Sequence, residues 1–275
     1  MNAVIFAGPS LPPSLRPLDP ALIWRPPTRQ GELYRAALTG PAIIGIVDGY
    51  FEVTPTVWHK EILWAMAQGI HVYGSASIGA LRAAELAPFG MKGVGRIFEA
   101  FRDGTLEDDD EVAVLHGPEE LGYPTDTEAM VNIRATLSDA VCRGIIEPVS
   151  ADSLTATAKS LFYKERAYPK ILQTAAAQGL PPAQLRDLAA WLPIGKVNQK
   201  TSDALEMLDA THAHLAAGLA PFRVSYAFAH TAAWETARRR VEAEQCDPNK
   251  SRRSNPPSPS ARVFDRWNDL WERLR

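Results

Sequence analysis

Three short apolar runs, each closed by a turn residue, constrain this chain most. Ala3–Phe6 stops at Gly8 and Pro9, Ala42–Val47 at Asp48 and Gly49, and Ile70–Tyr73 at Gly74. Short unbroken apolar runs bounded by turn signals read as buried strands. Helical patterns separate them. Thr54 and Pro55 predict an N-cap followed by proline at the first helical position, with Val57, Ile62, Leu63 and Met66 inward and a stop at Gly69. A second helix is expected to open near Ser77 and carry Ile78, Leu81 and Leu86. Strand, helix, strand, helix at this spacing implies right-handed crossovers. The expected class is α/β, a mainly parallel sheet flanked by helices, with a C-terminal helical annex.

The rest of the chain divides by composition and period. Leu11 to Pro27 is proline-rich and expected to be irregular, and Phe89–Gly95 reads as a glycine-rich loop before a helix around Ile97, Phe98 and Phe101. The acidic run Glu107–Glu111 leads into Val112–Leu115, expected as a fourth strand. From Thr125, which forms a capping-box pattern with Glu128, the period is helical: Met130, Ile133, Leu137 and Val141 form one stripe. Leu205, Leu208, His212, Leu215 and Leu219 form another. The expected units are a core over 1–124, the annex over 125–246, a linker over 247–262 and a tail helix over 263–275. The linker, Asp247–Arg262, is polar, basic and proline-rich. Val263, Phe264, Trp267, Leu270, Trp271 and Leu274 share one face of the tail helix and imply docking.

Composition narrows function more than it names it. A chain of 275 residues, 46% hydrophobic and 22% charged, buries a core without staples. A net charge of -3 gives no electrostatic reason for a nucleic-acid partner. The two cysteines, Cys142 and Cys246, lack CxxC or zinc-ligand spacing, so neither a disulfide framework nor a structural zinc site is expected. No apolar run is long enough to span a bilayer and the N-terminus lacks a basic leader, so the expected compartment is the cytoplasm, with no membrane partner.

The chemistry-bearing residues gather where the strands end. In Gly74-Ser-Ala-Ser77-Ile-Gly79 a serine at a strand-to-helix turn resembles a nucleophile elbow, with Ser75 in place of the first glycine. N–H groups near Ile78 and Gly79 are candidate oxyanion donors; the plainer reading of Ser77 is a helix N-cap. Among nearby bases, His71 lies at the wrong end of its strand, His59 is adjacent in sequence, and His116, His212, His214 and His230 are more distant. Lys60 is expected near the carboxyl edge, where ligands bind in open α/β sheets. A partly buried lysine loses charge and serves as a base, whereas a surface Lys60 would pair with Glu61 or a neighbouring carboxylate. Asp48 either orients that lysine or makes a turn, and Ser10 is the rival nucleophile. Arg82 and Glu85, one turn apart, either pair with each other or leave Arg82 to steady a carboxylate or thiocarboxylate. The acidic run lacks EF-hand spacing and reads as a solvated face.

These blocks carry a resemblance. Gly8-Pro-Ser-Leu11, Asp48-Gly-Tyr-Phe51, Val57–Leu63, Gly74–Leu86, Phe89–Gly95 and Asp108–Ala113 resemble the TfuA-like family. Ile78 stands where the family often has methionine. The resemblance implies a role in peptide backbone thioamidation beside a YcaO enzyme, in the biosynthesis of ribosomally made, post-translationally modified peptides. It implies hydrolysis of the thiocarboxylate of a ThiS-type sulfur carrier, releasing sulfide, with the precursor peptide as a further partner and no cofactor. It also implies a serine–lysine pair, for which Ser77 and Lys60 fit best; Ser10 and Lys200 remain alternative members. A non-catalytic adaptor that docks on the YcaO enzyme and presents its peptide is the competing role.

Overall fold

The computed structural model describes residues 1–246 apart from 53 and 219, so the expected linker and tail helix lie outside the described residues. Five strands, β1 (Ala3–Phe6), β2 (Leu22–Arg25), β3 (Ile43–Ile46), β4 (His71–Ser75) and β5 (Lys92–Val94), form one sheet in the order β2-β1-β3-β4-β5. Every pairing is parallel, with Ala3 level with Leu22 and Ile43, and Ile43 level with His71. The fold is thus α/β with helices against the sheet and a run of helices beyond it.

Helices α1 (Glu32–Ala37), α2 (His59–Ala67), α3 (Ile78–Leu86) and α4 (Arg96–Arg102) belong to the sheet half of the chain. Alternate strand residues Val4, Phe6, Ile44, Ile46 and Val72 bury against Leu33, Ile62, Met66, Ala80 and Ile97 from those helices. This face is wholly apolar, and burial of its large side chains contributes about 1.5–3 kcal/mol each. Helices α5 (Met130–Cys142), α6 (Pro148–Ser160), α7 (Tyr168–Ala177) and α8 (Pro182–Gly195) close around a separate apolar cluster that includes Met130, Ile133 and Leu137.

Helix α9 (Gln199–Ala217) returns to cover the other face of the sheet. Its Ala204, Met207 and Leu208 pack on Ala3, Ile5, Ile43 and Tyr73. Gly45 leaves room for this: a Cβ there would come within 2.9 Å of Met207 Cε and 2.7 Å of Ile5 Cδ1. Helix α10 (Ala232–Cys246) docks through Trp234 onto Tyr34, Trp58 and Trp64. No helix among the described residues is long and apolar enough to cross a membrane.

Several local expectations are corrected. Val112–Leu115 is not a strand; a 3-10 turn at Asp109–Glu111 precedes it. The two further strands lie in the stretches expected to be irregular. Both sit at sheet edges: in β2 Ile23 and Arg25 face outward, and β5 is only three residues long. Helix α2 begins four residues after Pro55, because Glu61 reaches back to the Trp58 N–H at 3.3 Å. Thr125 starts no helix either. It bridges His116 in an antiparallel pair, and Thr127 Oγ1 accepts from Leu115 N at 2.8 Å. The stripe on α9 is rotated from expectation. Leu205 is 40% exposed and His212 bonds Asp19 at 2.9 Å, while Lys200, Asp203, Thr211 and His214 turn inward.

Candidate functional site

Parallel strands deliver their last residues to one edge. β1 leads to Ser10, β3 to Asp48 and β4 to Ser77. Ile46 is level with Gly74, so β3 and β4 end close together at this edge. Asp48 is buried and organises this edge. Its Oδ2 accepts from Gly8 N at 2.8 Å and Ser10 N at 3.0 Å, and its Oδ1 accepts from Ser10 Oγ at 2.6 Å. Ser10 is therefore tied down, with its carbonyl also accepting from Thr201 Oγ1 at 2.8 Å.

Ser77 stands differently. Ala76 before it takes φ 65°, a left-handed conformation that a residue with a Cβ adopts at a cost of about 1–3 kcal/mol. This bend lifts Ser77 out of β4 to the N-cap of α3, where its side chain makes no capping bond. Its Oγ has no hydrogen-bond partner among the described residues, and neither does the Ile78 N–H. Gly79 departs from its expected role: its N–H donates to Val47 O at 3.4 Å. It is glycine because a Cβ would lie 1.8 Å from Ile46 O. Ile78 lines an open cleft of about 500 Å³ with Tyr50, Phe51, Leu81, Arg82 and Asp108.

The lysine brought to this edge is Lys200. It is 3% exposed, and its Nζ donates to Val112 O at 2.7 Å. Burial pulls its ammonium below the usual lysine range, against the opposing pull of Asp48 and Glu128. Asn132 Oδ1 receives its backbone N–H and fixes the helix start. His116 joins the same group. Burial lowers its imidazole, with Asp48 opposing and Lys200 adding to the fall.

Other expected residues lie elsewhere or serve other ends. Lys60 is partly exposed, donates to Ala229 O at 2.6 Å and lies 4.7 Å above the Phe228 ring; it bonds neither Ser77 nor Glu61. Glu61 is buried, which raises its carboxyl, and accepts from Gly31 N and Tyr34 N to hold the start of α1. Ser75 Oγ donates to Val94 O and Asp203 O, stitching β4 to β5 and α9. Arg82 pairs with Glu85 at 2.6 Å, and His59 meets the same carboxylate at 2.7 Å. Burial pushes Glu85 up, but the His59 and Arg82 bonds hold it below its ordinary value. The acidic run divides: Glu107, Asp108 and Asp109 are exposed along the cleft, while Asp110 pairs with the fully buried Arg166 and with Lys159, and Glu111 with Arg134. No group of three or more His, Cys, Asp or Glu side chains suited to a metal occurs among the described residues.

A parallel α/β sheet with a serine on a strained strand–helix bend, and a buried lysine within electrostatic reach of Asp48, has its polar groups at the carboxyl edge, where open α/β sheets bind ligands. The family model described as TfuA-like protein matches residues 48–167, so this stretch of the chain is similar to the TfuA-like family. Asp48, Ser77 and His116 fall inside the match; Ser10 and Lys200 fall outside it. No curated protein matches the chain.

Proposed function

We propose that this protein hydrolyses the C-terminal thiocarboxylate of a ThiS-type sulfur carrier, supplying sulfide for backbone thioamidation by a partner YcaO enzyme. The observation that carries the reading is the Ser77 hydroxyl left unbonded at the strand–helix bend, with the buried Lys200 within electrostatic reach of Asp48 at the same sheet edge. The match of residues 48–167 to the TfuA-like family supports the partner class. A lysine poised toward neutrality accepts a proton that an exposed one cannot. We therefore assign the lysine role to Lys200 in place of Lys60.

In this mechanism Ser77 Oγ attacks the thiocarboxylate carbon and passes its proton to Lys200. The Ile78 N–H, first of α3 and aided by the helix dipole, stabilises the oxyanion. Lys200 returns the proton to sulfur, which departs as hydrosulfide and leaves an ester on Ser77; water then frees the carrier as a carboxylate. The cleft beside Ile78 receives the carrier's tail.

Intact mass of a thiocarboxylated carrier, incubated with the full chain, tests this. Conversion to the carboxylate by wild type and Lys60→Ala, but not by Ser77→Ala or Lys200→Met, is expected. Conversion by none, with the YcaO enzyme also present, would leave the non-catalytic adaptor role in its place.

A further inference from the structure

Lys200 is neutral again once sulfur has taken its proton, and the ester on Ser77 then needs a base, Lys200 or another, to draw a proton from water. The chain has six histidines, and five of them have side-chain or backbone partners that occupy a ring nitrogen, one of them, His59, on Glu85 at the cleft. His59 and His230 bond glutamates, His212 bonds Asp19, His71 bonds Ala220 O, and His214 bonds Tyr73.

His116 is held differently. Its Nδ1 lies 2.8 Å from Gly117 O, and since a carbonyl only accepts, Nδ1 carries the proton. In a neutral imidazole this leaves the lone pair on Nε2, which has no partner among the described residues. The backbone bridge to Thr125 anchors the residue, and its ring sits 6.2 Å from Tyr50 and 5.6 Å from Tyr123. Tyr50 also lines the cleft beside Ile78. The ring is thus set in one tautomer next to the substrate space, within electrostatic reach of Asp48 and Lys200.

We propose that His116 is the base of the second half-reaction, taking a proton through Nε2 from the water that attacks the Ser77 ester. This rests on the hydrolase reading above. The water oxygen–carbon bond forms and the carbon–Oγ bond breaks; the proton held on Nε2 passes to Ser77 Oγ. The carrier leaves as a carboxylic acid and ionises in solvent. Lysine and histidine thereby divide the reaction, one serving ester formation and the other its hydrolysis.

His116→Asn tests this division, because the asparagine N–H still donates to Gly117 O while the basic nitrogen is gone. The full-length variant is mixed with excess thiocarboxylated ThiS-type carrier, and sulfide and intact mass are followed together. The expected result is one rapid equivalent of sulfide, a covalent carrier–protein ester, and turnover slowed about a hundredfold. Ser77→Ala in the same background abolishes the ester. Turnover near the wild-type rate, or slow turnover with no ester, overturns the assignment. If His116→Asn does not fold, His116→Gly is assayed with and without imidazole: rescue of ester hydrolysis supports the assignment, and its absence overturns it. A wild-type protein that releases no sulfide defeats the hydrolase reading itself and, with it, any role for His116 in that reaction.

Discussion

The two faces of the sheet are built on different terms. Helices α1 to α4 meet one face through a large apolar cluster, and their buried Glu61 and Arg82 are bonded to backbone groups. α9 meets the other with Ala204, Met207 and Leu208 in the middle, but with Lys200 and Asp203 toward one end and Thr211 and His214 toward the other. The polar groups of the first end are satisfied: Lys200 bonds Val112 O, and Asp203 accepts from Ile97 N and Gln199. At the other end Thr211 Oγ1, His214 Nε2 and His71 Nδ1 are buried without partners. A covering helix that buries polar groups costs stability unless each is bonded. The bonded end is the one at the candidate site, so that end is where the cost is offset by preorganisation.

The sharpest way to break this contrast is Lys200→Met. Sulfide release should fall about a thousandfold, while Tm, followed by calorimetry, stays level or rises because an apolar side chain replaces a buried cation. Lys60→Ala should leave the rate within a few-fold of wild type. A collapse in Tm with Lys200→Met would make the lysine a structural strut instead. Next come the matched truncations Met66→Ala and Met207→Ala, one on each face and both fully buried. Each should cost about 2–5 kcal/mol in urea unfolding, and a Met207 value under ~1 kcal/mol would mean that α9 rides loosely on its face. Ser10→Ala removes the 2.6 Å bond to Asp48 and should cost about 1–3 kcal/mol. It should slow turnover only modestly, whereas complete loss would make Ser10 the nucleophile.

The smallest effect concerns acid. His214 is pushed down to about 4 by burial, then by His71 and Lys92. The unfolded chain binds that proton near pH 6.5, so the folded state holds fewer protons between these values. Its contribution is complete above pH 6.5 and is lost as pH falls toward about 4. His214→Asn keeps an acceptor for Tyr73 and should flatten the fall of Tm between pH 6.5 and 4. An unchanged slope would show that the unsatisfied end of α9 carries no such penalty.

The same contrast explains what could be read from sequence. β1, β3 and β4 are covered on both sides, so their runs are continuously apolar and announce themselves. β2 and β5 are edge strands, one flanked by prolines and the other shortened to Lys92-Gly-Val94, and they carry no such signal. Gly93 belongs to that shortness, since a Cβ would meet the Phe98 ring at 2.1 Å. The Ser10, Asp48 and Ser77 edge was legible because it follows directly from where parallel strands stop. The base was not. Lys60 is near the edge in sequence, yet α2 starts only at His59 and sends its ammonium to Ala229 O. Lys200 was masked because the polar residues on the buried face of α9 shift its apparent apolar stripe. His116 was hidden behind Val112–Leu115, whose apolar run reads as a strand although it pairs with none.

The strand order carries one further consequence, for the time course of synthesis. β1 emerges from the ribosome first but lies inside the sheet, between the later β2 and β3. Its second face stays uncovered until residue 217 has been made, about 10–40 s after β1 at ordinary elongation rates. Lys200 arrives in that same last covering helix, so the nascent chain presents Ser10, Asp48 and Ser77 long before Lys200 joins them. The candidate edge and the finished sheet are completed by a single event.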